Sequence, residues 1–257
     1  MITDWHFYVL AVPAVMLIGI AKSGFSGVGL ISLPMLSLLI PPMQAAAIIL
    51  PILMVQDIVG VIALRRDYSP RNLILLMMGG LCGVVLGMLL AKQVSDAEVM
   101  MMVGVVSCGF VIVTFLRKGG LDAPAKTGSV PAGLFWGLCA GFTSFIANAG
   151  APPVQVYLTP QKLTPATYAG TFAILFAVLN YVKFAAFIWL GQVTLPNLQV
   201  SFVLFPLAIG SSLLGVYLIR RVKALFFYKV IYALTFIVGL KLIYDGVLQI
   251  WLAPAGA

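Results

Sequence analysis

Six stretches of this chain, residues 45–64, 73–91, 99–116, 163–190, 195–219 and 226–251, are apolar windows close to the length that a helix needs to cross a bilayer. About 20 residues rise about 30 Å, which is the thickness of the hydrocarbon core. Each window therefore reads as a transmembrane helix. Two further apolar regions, 5–40 and 131–158, are interrupted partway. With 62% hydrophobic and only 9% charged residues, little is left for a soluble domain, since soluble chains carry about 25% charged residues. The expected fold is an all-α polytopic membrane protein. Residues 5–21 imitate a secretory signal, but no basic start or small-residue cleavage site precedes Lys22 and apolar sequence follows at once. The segment is expected to be retained.

The interruptions are KSGFSGVGLISLP at residues 22–34 and GFTSFIANAGAPP at 141–153. In hydrocarbon, a backbone N–H or C=O that leaves a helix must find a partner in protein or in trapped water. Matching breaks in two halves of one chain are the sequence feature that best points to a transporter's substrate site. The polar stretch 117–130 separates the halves, giving an N-terminal repeat 1–118, a linker 119–130 and a C-terminal repeat 131–257. Features recur in order between the halves. Pro34 and Pro41 fall on Pro153 and Pro160, and Gly83 and Gly87 fall on Ser211 and Gly215, a small-residue spacing suited to close helix contact.

Loop charges give the topology. Arg65, Arg66 and Arg71 crowd one loop, Arg117, Lys118 and Lys126 the linker, and Arg220, Arg221, Lys223 and Lys229 the last loop. Residues 41–44, 191–194 and the C-terminal tail carry no basic residue. Basic loops collect on the cytoplasmic side. All three basic loops share that side only if 5–40 and 131–158 are hairpins that enter and return. Both termini then face outward and the halves have opposite orientations. The expectation is an inverted repeat of two halves, each a broken or re-entrant helical hairpin plus three transmembrane helices, with a cytoplasmic linker.

Within the first break, Gly24, Gly27 and Gly29 permit close backbone approach, and Ser26 and Ser32 offer hydroxyls. Gly24, Phe25, Ser26 and Gly27 are candidate substrate residues there. Thr143, Ser144, Asn148 and Gly150, followed by Pro152 and Pro153, are their counterparts in the second. A half-helix starting after a break presents N–H groups and a positive dipole end, which suits an anion; tight helix crossing is the alternative. Intramembrane charges default to functional hypotheses. Lys183, one turn after Asn180 and near Tyr181, is the candidate anion-attracting side chain, with Asn180 beside it. Lys22 sits at the first break, where ligand contact and snorkelling to the interface compete. Asp57, next to Gln56, interrupts the 45–64 window. Lys22, Gln56 and Asp57 are candidates for coupling or gating: Asp57 is either a proton carrier or the partner of Lys22 or Lys183. Lys241 and Asp245, four apart, are expected to pair with each other.

Other chemistries find little support. The net charge of +8 is dispersed over loops and forms no nucleic-acid patch. Cys82, Cys108 and Cys139 lie singly in apolar sequence, and His6 is the one histidine. No metal-ligand cluster, nucleophile–His pair or phosphate-binding glycine loop is present, so the chain is expected to be no enzyme and to need no metal or cofactor.

The stretch GFSGVGLISLP, a second such stretch after the basic linker, and small-residue helices such as GGLCGVVLG resemble the TauE/SafE family of sulfite and organosulfur-anion exporters. The resemblance covers nearly the whole chain. It implies a bacterial inner-membrane permease for sulfite, sulfonates such as sulfoacetate, or similar small oxyanions, and carries a binding role over to residues 24–34 and 141–153. The expected function is secondary transport, in the export direction, of a small sulfur anion bound between the two broken segments near the membrane midplane. A carboxylate carrier and a non-transporting membrane assembly subunit are the alternatives. The expected partners are a small anionic substrate and the lipid bilayer, with no nucleic acid; a homodimer is left open.

Overall fold

The computed structural model describes residues 5–22, 32–37, 39–40, 42–91, 93–116, 124–189 and 193–252. In chain order the helices are α1 (Trp5–Lys22), α2 (Ser32–Ser37), α3 (Pro42–Leu64), α4 (Pro70–Leu90), α5 (Asp96–Leu116), α6 (Val130–Ala147), α7 (Ala151–Leu158), α8 (Pro165–Trp189), α9 (Leu195–Arg221) and α10 (Ala224–Leu252). Among the described residues eight helices, all but α2 and α7, are long and apolar enough to cross a membrane. The chain is thus a polytopic all-helical membrane protein. Large apolar side chains such as Ile62, Leu89, Leu116 and Trp189 are exposed, as a surface bathed in lipid requires.

Helices α3, α4 and α5 each begin three residues before their apolar windows, at 42 against 45, 70 against 73 and 96 against 99. The first turn of a helix accepts residues that hydropathy rejects. Pro42 and Pro70 give up an N–H that would have no helical partner there, and Asp96 and Glu98 complement the positive end of the α5 dipole. Ser129 caps α6 by accepting from the Ala132 amide at 3.3 Å, and Thr194 caps α9 by accepting from the Asn197 amide at 3.4 Å.

The helices form two compact units, each drawing on both halves of the sequence. The first unit comprises Met1–Leu73 with Thr164–Ala224. Its core joins Phe7, Ala11, Ala14, Val15 and Ile18 of α1 to Ile48, Ile49 and Ile52 of α3 and to Val200, Leu204 and Ala208 of α9. Interhelical hydrogen bonds tie this core where lipid offers no competitor. The Ser201 hydroxyl of α9 donates to the Ile48 carbonyl of α3 at 2.7 Å, and the Ser32 hydroxyl of α2 donates to the Ala14 carbonyl of α1 at 2.9 Å. Near the α3–α4 loop, α8 comes so close that a Cβ on Gly170 would lie 1.8 Å from the Asp67 carbonyl oxygen.

The second unit comprises Ile74–Leu163 with Leu225–Ala257. It is built on a glycine crossing between α4 and α6. A Cβ on Gly79 or Gly83 would sit 2.1 Å from the carbonyl oxygen of Leu134 or Leu138, and one on Gly141 would sit 1.9 Å from that of Gly80. Backbone therefore meets backbone, as small residues four apart allow. The pair α6–α7 is a hairpin whose two ends meet. The Lys126 amide donates to the Pro160 carbonyl at 3.0 Å, and the Tyr157 hydroxyl donates to the Ser129 carbonyl at 3.5 Å. The chain enters α6 and leaves α7 side by side.

Candidate functional site

In the first unit, three helices bring charged and amide side chains into the buried interior. Gln56 and Asp57 stand in the second half of α3, at 0% and 1% exposure. The α1 helix delivers Lys22 in its last turn, with Val15 and Gly19 preceding it on the same face. Asn180 and Lys183, three apart on one face of α8, are 3% and 2% exposed.

Asp57 is the hub. One of its carboxylate oxygens accepts from the Lys22 ammonium. The other accepts from the Asn180 amide nitrogen at 2.7 Å. The charges of both Lys22 and Asp57 act on Lys183. With all three ionised, two cations face one anion and the cluster carries one net positive charge. A buried ion pair is rarely a net source of stability, because desolvation offsets the attraction. Residues of this kind at this depth are a functional hypothesis by default.

Beside the hub, the Gln56 amide nitrogen donates to the Val15 carbonyl of α1 at 3.1 Å, and the Ser211 hydroxyl of α9 lies 3.5 Å from the same carbonyl. Gly19 makes that approach possible, since a Cβ there would lie 2.0 Å from the Ser211 oxygen. The Gln56 side-chain oxygen and the Ser212 hydroxyl are buried with no hydrogen-bond partner among the described residues.

The break in the second unit is made differently. Helix α6 stops at Asn148, which takes the left-handed conformation (φ 51°) and returns its amide to the Thr143 carbonyl. Asparagine is among the few non-glycine residues that tolerate this C-cap. The Thr143 hydroxyl donates to the Cys139 carbonyl at 2.8 Å and lies 3.0 Å from the Ala149 carbonyl. Gly150 then precedes α7, whose first turn holds Pro152 and Pro153. The two prolines remove two of the four N–H groups that a helix start normally presents, leaving those of Gly150 and Ala151. Deeper in the unit, the Thr235 hydroxyl of α10 lies 2.9 Å from the Gln155 side-chain oxygen of α7. No charged side chain takes part in these hydrogen bonds.

Of the residues singled out in the sequence, Lys22, Gln56, Asp57, Asn180 and Lys183 gather in the first unit. Thr143, Ser144, Asn148 and Gly150 gather at the break of the second. Gly24, Phe25, Ser26 and Gly27 lie outside the described residues. Lys22 pairs with Asp57, and Lys241 pairs with Asp245 as their spacing implies. Sequence reasoning passed over Ser212, although a Ser–Ser dipeptide inside an apolar span was a visible signal. Among the described residues no group of three His, Cys, Asp or Glu side chains is placed to hold a metal ion.

The family model described as Sulfite exporter TauE/SafE matches residues 11–242. Comparison with the curated proteins and with the solved structures finds no match. With eight helices among the described residues long and apolar enough to cross a membrane, and with the match running over nearly its whole length, the chain belongs to the TauE/SafE sulfite exporter family of membrane transporters.

Proposed function

We propose that this chain carries a small sulfur oxyanion, sulfite or an organosulfonate such as sulfoacetate, out of the cell, and that the buried cluster of α1, α3 and α8 receives it. The observation that carries this reading is the cluster's make-up: two lysines and the Asn180 amide face a single buried carboxylate, with Gln56 beside it. The two lysines and the Asn180 amide are the donors that an arriving monoanion would meet. Family membership supports the sulfur oxyanion as the substrate class. An uncoupled monoanion leaving a negative-inside cell gains about 2.3 kcal/mol per 100 mV, whereas one carried with a proton moves down the combined anion and proton gradients.

Thr143, Ser144, Asn148 and Gly150 form a second, neutral polar station on this reading, and Gly24, Phe25, Ser26 and Gly27 keep the candidate binding role that the family resemblance carries to them. The protein acts by moving its substrate and not by transforming it. It sits in the bacterial inner membrane with both termini periplasmic. The α6–α7 hairpin, which begins and ends side by side, supports that topology, because a returning segment keeps the basic loops on one face. Cytoplasmic signal from a reporter fused at the C-terminus overturns it.

Flux into proteoliposomes tests the transport reading with a panel of sulfite, sulfoacetate and acetate. Saturable flux of a sulfur anion is expected, and its absence defeats the reading. Lys183→Ala is expected to weaken substrate binding at least tenfold while the protein stays folded. A carboxylate substrate is the second reading, favoured by one observation: the Asp57 carboxylate itself sits on the donors. Acetate flux in preference to both sulfur anions would establish it.

A further inference from the structure

The donors of the cluster are occupied by the protein's own anion. Lys22 reaches across from α1 and Asn180 from α8, and each holds a different oxygen of one carboxylate. Two donors held this far apart by separate helices match two oxygens on one central atom. A sulfonate, a sulfite or a carboxylate presents such a pair; a halide does not.

We infer that Asp57 is a stand-in for the substrate, and that the anion and the Asp57 carboxylate compete for Lys22 and Asn180, so that each bound anion brings one proton to Asp57. The inference rests on the cluster being the substrate site. The step balances. Asp57 takes a proton from bulk water and becomes a neutral carboxylic acid. Lys22 and Asn180 are released and close on two oxygens of the incoming anion. The net charge of the cluster is unchanged, because one anion has entered with one proton. Release reverses the step, so anion and proton travel together in the same direction.

The charged groups that face Asp57 are Lys22 from α1 and Lys183 from α8; Asn180 of α8 is its neutral partner. Both charged neighbours are cations, so no second carboxylate in this cluster competes for the proton. Once the anion takes Lys22 and Asn180, the Asp57 carboxylate is left buried without either donor, and a proton removes that unpartnered charge.

Methanesulfonate is the useful probe, because it stays a monoanion across the neutral range, whereas sulfite itself titrates there. Purified full-length protein in lightly buffered detergent at neutral pH is titrated with methanesulfonate, and proton uptake is read with a pH indicator beside the bound anion. The expected result is close to one proton per anion for the natural chain, and none for Asp57→Asn, which still binds methanesulfonate. Binding by Asp57→Asn should also lose the weakening of about tenfold per pH unit that one-proton linkage predicts for the natural chain on the alkaline side. Binding without proton uptake in the natural chain overturns the inference, and so does equal uptake in Asp57→Asn; the first measurement needs no variant to fold. Lys22→Gln and Lys183→Gln separate this failure from failure of the site. If both leave methanesulfonate and sulfite binding unchanged, or if neither anion binds the natural chain, the site reading falls and the inference with it. If they weaken binding while no proton is taken up, only the inference falls.

Discussion

The two units bury polarity in opposite ways. The first gathers titratable and amide side chains from three helices at Asp57. The second holds its break with hydroxyls, amides and backbone, and closes α4 on α6 through glycine. A charge cluster is strong and adjustable, because its members exchange partners when a proton or an anion arrives. A neutral cap with a backbone crossing has one arrangement and little to exchange. The difference suggests a division between a responsive region and a shape-keeping one.

The largest expected effect breaks the shape-keeping region. Gly141→Leu would drive a side chain into the Gly80 carbonyl, where a Cβ alone already lies 1.9 Å from the oxygen. The substitution should cost more than about 4 kcal/mol, seen as loss of a monodisperse peak on size exclusion and a collapse of the melting temperature. A stable Gly141→Leu protein would show that the α4–α6 crossing is loose. Next is Asp57→Ala, which strands the Lys22 ammonium and should destabilise the first unit by about 3–5 kcal/mol. The double change Asp57→Asn with Lys22→Met should recover most of that loss while binding stays impaired. Full recovery of both would mean that the pair is structural only.

A smaller effect sharpens the contrast. Thr235→Val removes the hydroxyl beside Gln155 and should lower stability by about 1–2 kcal/mol, read as a modest fall in melting temperature with substrate affinity unaltered. Smallest of all, Asn148→Gly keeps the left-handed turn and should change stability by only a few tenths of a kcal/mol. Asn148→Ala should cost about 1 kcal/mol at the same position, where φ is 51°. If binding falls equally in both variants, the Asn148 amide contacts substrate; if only the alanine variant is affected, Asn148 is a turn former.

The spans were legible because hydropathy reports burial in lipid directly, and the second break was legible from Asn148 and the glycine and prolines that follow it. The Lys241–Asp245 pair was legible too, because spacing along one helix sets which side chains meet. Helix starts were less so: Pro42, Pro70 and Asp96 lie outside any apolar average yet suit a first turn. Asp57 could be weighed from sequence as a lysine's partner, but its bond to Asn180 spans 123 positions and depends on how α3 packs on α8. The same holds for the crossing. Gly83 stood out by its spacing, whereas its facing surface on α6 is a property of tertiary packing.

The pairing of Lys22 with Asp57 carries a consequence for how such a chain can change over generations. The two residues belong to different helices and lie 35 positions apart, yet losing either one alone takes a hydrogen-bonded partner from a buried charge. A lineage that neutralises one should neutralise the other in step, or pass through a poorly inserted ancestor. Among relatives, positions 22 and 57 should therefore be inherited as a pair, and a change of substrate charge should be written in both at once.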